Sequence, residues 1–143
     1  MRSKVLLISN IFATILVAII TYVTVTAIND LGGMEGLEAY SELYSYSIAK
    51  ADFITGYILT MPYLLIAQAS IFVVATLFGW ISYLAKKSGL AKFAAVLYIL
   101  GALSCFYYFT FFAIPVIVLG FVGGSKQKSL NKANAVSAPV IKE

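Results

Sequence analysis

Charged residues cut this sequence into three long stretches that contain none of them, 5–29, 53–85 and 93–125. A helix needs about 20 apolar residues to cross a hydrocarbon layer roughly 30 Å thick, so each stretch is long enough to span a membrane. Composition closes off the soluble alternative. The chain has 143 residues, 62% of them hydrophobic and 11% charged, whereas a soluble domain is roughly 45–50% apolar and about 25% charged. A chain this short cannot hide that much apolar surface from water. The length suits one compact helical unit and leaves no room for a soluble catalytic module.

The number of crossings follows from where the charges sit, because short cytoplasmic loops retain Lys and Arg. Arg2 and Lys4 precede the first stretch, Lys86, Lys87 and Lys92 separate the second from the third, and Lys126, Lys128, Lys132 and Lys142 follow the last. Asp30, Glu35, Glu38, Glu42 and Asp52, opposed only by Lys50, fall between the first two. Bringing every basic cluster to one side requires one crossing in the first stretch, one in the second and two in the third, although the second and third are each 33 residues long. The expected fold is therefore an all-α integral membrane protein, a four-transmembrane-helix bundle. Its crossings fall at about 5–28, 60–85, 90–107 and 109–124, both termini are cytoplasmic, and 125–143 is a flexible tail. The aromatic run at 106–112 suits a turn at the outer interface, where Tyr rings are comfortable. A single long third helix, with the tail outside, is the competing reading. The apolar N-terminal run exceeds the roughly 7–15 residues of a signal-peptide core, so an uncleaved anchor is expected.

The outer segment, 29–56, carries Met34, Leu37, Tyr40, Tyr44 and Ile48 at helical spacing, with Glu35, Glu38 and Glu42 on another face. That pattern predicts a short amphipathic helix lying on the outer interface. Residues 53–61 are expected to continue along the surface until Pro62 opens the true crossing. The tyrosines Tyr40 and Tyr44 and the three glutamates are the candidate outer contact surface. A cation held by those glutamates is the weaker reading, since they lack the spacing of a calcium loop.

Inside the crossings the chemistry is sparse. Apart from Lys92 at the edge of the third crossing, no Asp, Glu, Lys or Arg falls within any of them, and the chain has no histidine. Ionisable groups inside a membrane mark ion paths, proton relays and substrate sites, so a proton-coupled transporter, a voltage sensor and an intramembrane hydrolase are all disfavoured. Cys105 is the only cysteine, which removes an intramolecular disulfide and a thiol metal pair. No phosphate loop, nucleophile motif or zinc pattern occurs, and no cofactor or metal is expected. Candidate helix-packing residues are Gln68, a glycine pair at Gly120 and Gly124, the equivalent small pair Ala75 and Gly79, and a polar face on the first helix formed by Asn10, Thr14 and Thr21. A buried amide contributes an interhelical hydrogen bond worth about 1 kcal/mol, and small residues four apart let backbones approach closely. The glycine face serves either packing within the chain or contact with a partner or second copy. Pro115 is expected to kink the last helix.

The basic clusters at the membrane ends meet anionic headgroups and explain the net charge of +4 without nucleic acid. The half from Lys86 onward, with its turn Lys86-Lys87-Ser88-Gly89, the apolar arm 93–103 and Ile114-Pro115-Val116-Ile117-Val118-Leu119-Gly120 running into Gly123-Gly124 and lysines, resembles small four-helix membrane proteins of uncharacterised function from Gram-positive bacteria. The resemblance implies a bacterial plasma membrane and four helices, and it implies no activity. Three functions are then in play. The first is a non-catalytic accessory or regulatory subunit of a larger membrane complex, such as a transporter or secretion machine. The second is a protein that protects the cell from a membrane-active peptide or toxin, and the third is a homo-oligomeric pore.

Overall fold

The computed structural model of the chain describes residues 2–49, 52–104 and 110–136. Among these there are five helices and no strand: α1 Lys4–Asp30, α2 Gly33–Ile48, α3 Phe53–Ala85, α4 Ser88–Ser104 and α5 Thr110–Val136. Each start has a local cause where a cap is seen. The Ser3 hydroxyl accepts the Leu6 N–H at 3.4 Å and opens α1. The Asp52 carboxylate accepts the Thr55 N–H at 3.0 Å and opens α3; both satisfy a first-turn donor that has no partner inside the helix. Gly32 and Gly33 take φ of +97° and +72° to turn the chain from α1 into α2, a backbone region that side chains resist. Lys86 closes α3 with φ +56° despite carrying a side chain. Its conformation is held by Ser82, which accepts the Lys87 N–H through its carbonyl and donates its hydroxyl to the Lys87 carbonyl at 2.7 Å.

Four of the helices pack in a ring: α1 touches α3 and α5, and α4 touches α3 and α5. Contacts run in opposite directions along each neighbouring pair. Gly120 meets Ala95 and Gly124 meets Ala91 between α5 and α4, while Ser3 bonds to Gln127 and Ser9 to Val116 between α1 and α5. Neighbouring helices are therefore antiparallel all the way round. The inward seam of α1 is Leu6, Ser9, Ala13, Leu16 and Ile20, an alternation of three and four residues that keeps one face of a helix toward its neighbours. The core closes on Ala13, Leu16, Ile20, Phe72, Ala75, Tyr98, Ala102, Ala113 and Val116.

The antiparallel order sorts the charges. Arg2 and Lys4, the Lys86–Lys87 turn with Lys92, and Lys126, Lys128 and Lys132 gather at one end, whereas Asp30, Glu35, Glu38, Glu42 and Asp52 gather at the other. Between them α1 and α3 are each long and apolar enough to cross a membrane, and α4 is a shorter apolar helix.

Two sequence expectations change. Residues 53–61 are not a separate surface segment, because Asp52 caps the chain early and α3 runs unbroken from Phe53 with Pro62 inside it. Of the tail expected at 125–143, residues 125–136 are the last turns of α5, pinned to the rest by Gln127 and Asn131, and 137–143 lie outside the described residues. The third uncharged stretch carries parts of two helices, α4 and α5; of the aromatic run at 106–112, residues 106–109 lie outside the described residues and 110–112 open α5.

Candidate functional site

The candidate residues do not converge on one cleft. They form polar rungs between helices, a glycine seam, and a clasp at the acidic end.

Asn10 is buried and donates its amide to the Gly79 carbonyl at 3.0 Å. A methyl group at Gly79 would lie 2.7 Å from the Asn10 side-chain oxygen, so the glycine makes room for this rung. One turn further along, Thr14 donates to the Asn10 carbonyl and accepts the Trp80 indole N–H at 3.0 Å. Thr21 stays exposed. The polar face of α1 is therefore not the inward face, contrary to expectation. It lies beside the seam of Leu6, Ala13 and Ile20, and only Asn10 is fully inside, whereas Thr24, which sequence pattern did not single out, is buried. On α3, Gln68 is fully buried and donates to the Gly101 carbonyl at 3.1 Å. Ala75 is in the core, and the Thr76 and Tyr98 hydroxyls pair nearby.

Gly120 and Gly124 face α4. A methyl group on either would come within 3.2 Å of Ala95 or Ala91 respectively. This seam is therefore occupied within the chain. The residue that sequence reasoning missed is Gly123, where an added carbon would meet the Leu6 backbone at 3.0 Å. Also missed is Gln127, fully buried, whose carbonyl oxygen accepts the Ser3 N–H at 2.9 Å and whose amide donates to Asn131 at 2.8 Å. Asn131 in turn donates to the Lys86 carbonyl at 2.8 Å. Gly120, Gly124, Gln127 and Asn131 repeat at four, three and four residues. That spacing was the signal that the helical seam continues past the lysines.

At the acidic end Tyr40 and Tyr44 turn toward α3. The Tyr40 hydroxyl donates to the Leu59 carbonyl at 2.7 Å, and both rings pack on Tyr63, with centroids 6.2 Å and 5.4 Å away. Burial, followed by the neighbouring hydroxyls of Tyr63 and Tyr44, raises the Tyr40 pKa above its usual value. These tyrosines fasten α2 to α3 and are half-buried, so the outward surface of α2 falls to Glu35, Glu38 and Glu42, all exposed. Beside them an open apolar groove of about 670 Å³ runs between α1, α2 and α3, with Thr21, Leu37 and Val73 in its wall.

Outside the ring, large apolar side chains stay uncovered on every one of its helices, among them Phe12 and Ile19 of α1, Leu77 and Ile81 of α3, Leu100 and Leu103 of α4, and Ile114 and Val118 of α5. No group of His, Cys, Asp or Glu among the described residues is arranged to hold a metal ion. In comparisons with known proteins, no family model, curated protein or solved structure matches the chain.

Proposed function

We infer that the chain is a multi-pass plasma-membrane protein whose four ring helices each cross the bilayer, with both termini in the cytoplasm, and that it works without catalysis as an accessory or regulatory subunit of a larger membrane complex. The observation that carries this reading is the uncovered apolar belt bounded by a cationic end and an anionic end. In water such a belt is an aggregation surface; in a bilayer it is the lipid-facing or partner-facing wall, and the cationic end is the one retained inside. α4, at 17 residues, is about 25 Å long at 1.5 Å per residue, somewhat less than the hydrocarbon thickness, which modest local thinning accommodates.

The glycine and alanine faces are consumed inside the chain, so a partner is met through the large outward side chains of the belt or through the acidic face of α2. The filled core, with Phe72, Ile20 and Gln68 fully buried, favours a solid support over a conduit running through one copy. Purification in mild detergent followed by mass spectrometry tests the accessory role. Stoichiometric recovery of one membrane partner is the expected result, and a monodisperse monomer with no co-purifying protein contradicts it.

A further inference from the structure

At the basic end, Arg2, Ser3, Lys4 and Val5 of the α1 start and Lys126, Ser129 and Leu130 of α5 enclose a recess of about 580 Å³. We propose that this recess holds the phosphate headgroup of an anionic glycerophospholipid, with an acyl chain laid along the outer face of α5. The proposal rests on the membrane reading above.

The first part of the case is charge. Three cations line the recess, and every carboxylate among the described residues sits at the opposite end of the ring. Lys4 and Val5 also belong to the first turn of α1, where N–H groups point out of the helix and favour an anion. A hydroxyl from Ser129 adds a neutral donor. The second part is rigidity. Ser3 is buried and tied by its N–H to Gln127, which is itself fully buried. The Arg2 guanidinium lies 5.4 Å from the centre of the Tyr83 ring, a cation–π distance. The floor of the recess is thus fixed by three helices.

The third part separates a lipid from a free phosphate. A second groove, about 450 Å³, runs along α5 past Phe121, Val122 and Ser125 and shares Lys126 and Ser129 with the recess. From Ser129 back to Phe121 the helix rises about 12 Å at 1.5 Å per residue, directed from the cationic end toward the apolar belt. A small anion has no use for that track, whereas a phospholipid has its headgroup and its chain in this order. Lys86, Lys87 and Lys92 are at the same end but line neither the recess nor the track, which supplies a charge-matched control.

The test is native mass spectrometry of the full chain in mild detergent, titrated separately with dioleoylphosphatidylglycerol, dioleoylphosphatidylcholine and glycerol 3-phosphate. One phosphatidylglycerol is expected to be retained per chain in preference to phosphatidylcholine, with glycerol 3-phosphate not retained. At about fivefold per cation near a membrane surface, the triple change Arg2→Gln, Lys4→Gln, Lys126→Gln should weaken phosphatidylglycerol binding on the order of a hundredfold. Lys86→Gln, Lys87→Gln, Lys92→Gln should leave it nearly unchanged. Val122→Trp, which fills the track without touching a charge, should also weaken it. Single Lys126→Gln keeps the test intact if the triple variant does not fold. Equal loss from both triple variants, equal retention of the two lipids, or tight binding of glycerol 3-phosphate overturns the proposal. Alkaline carbonate extraction of membranes reports on the underlying reading separately. A chain released by carbonate refutes membrane insertion, while a chain that resists carbonate yet shows no lipid preference refutes only the lipid site.

Discussion

The two ends of the ring are held together by different chemistry. At the cationic end the helices close tightly: Gly123 lies against the Leu6 backbone, Gly124 against the Ala91 methyl, and a chain of amide bonds runs from Ser3 through Gln127 and Asn131 to the Lys86 carbonyl. This chain joins α1, α5 and the α3–α4 turn. Among the described residues, no such network joins α1 to α3 at the anionic end. The first turns of α3 run past the level where α4 ends, and α2 fastens onto them through tyrosine rings and one hydroxyl. A wide apolar groove stays open beside it. Close glycine contacts and fully paired amides give one well-defined geometry, whereas a clasp of aromatic rings can open without disturbing the ring below. The cationic end is the more tightly tied part of the ring, and the α2 clasp at the anionic end the more loosely tied one.

The largest effect is expected from Gly123→Leu. The neighbour it strikes is backbone, which cannot swing aside, so overpacking should cost about 3 kcal/mol and lower the melting temperature in detergent sharply. The same change at Gly89, where nothing lies within 4 Å, should leave melting unchanged or improve it through helix propensity. Next comes Gln127→Leu, which strips the acceptor from the Ser3 N–H and should cost about 2 kcal/mol with a global loss of melting temperature. Tyr40→Phe removes one hydroxyl bond, worth about 1 kcal/mol, and here the readout differs in kind. Amide hydrogen exchange should quicken in α2 while α1, α4 and α5 keep their protection. If Tyr40→Phe lowers global melting as much as Gln127→Leu does, the contrast between the ends is broken.

The smallest effect is a pH dependence at the start of α3. The Thr55 hydroxyl and N–H hold the Asp52 carboxyl below its usual pKa, so its capping contribution is complete above the ordinary carboxylate range. It disappears as pH falls through that lowered value. Acid should therefore fray the first turn of α3 in wild type, detected by exchange at 53–56, and Asp52→Ala should be frayed at every pH.

Much of the ring is legible in the sequence, because long uncharged apolar helices leave strong marks. The three uncharged stretches delimit α1, α3 and the α4–α5 pair, and the basic clusters require the last stretch to fold back although its length equals that of α3. Gly120, Gly124, Gly79 and Gln68 are legible as packing positions because small and amide side chains have few other uses in an apolar helix. What hides is whatever depends on a partner helix. Thr14 and Thr21 look equivalent to Asn10 by spacing, yet the direction in which α1 faces α3 and α5 is set by Leu6, Ala13 and Ile20, which are indistinguishable by composition from the exposed Ile8, Ile15 and Ile19. Residues 125–136 look like tail because lysines interrupt them, whereas the buried side of that segment is Gln127 and Asn131, polar groups whose value appears only when Ser3 and the Lys86 carbonyl are beside them. Tyr40 and Tyr44 look like an exposed surface until Tyr63 is placed opposite.

The central claim is that the cationic and anionic ends lie on opposite sides of a membrane, with an even number of crossings. Single cysteines placed at Glu38 and at Lys132 in a Cys105→Ala background, treated with a membrane-impermeant maleimide on intact cells, measure it directly. The account predicts labelling of the Glu38→Cys chain on intact cells and labelling of the Lys132→Cys chain only after permeabilisation; labelling of Lys132→Cys on intact cells would contradict it.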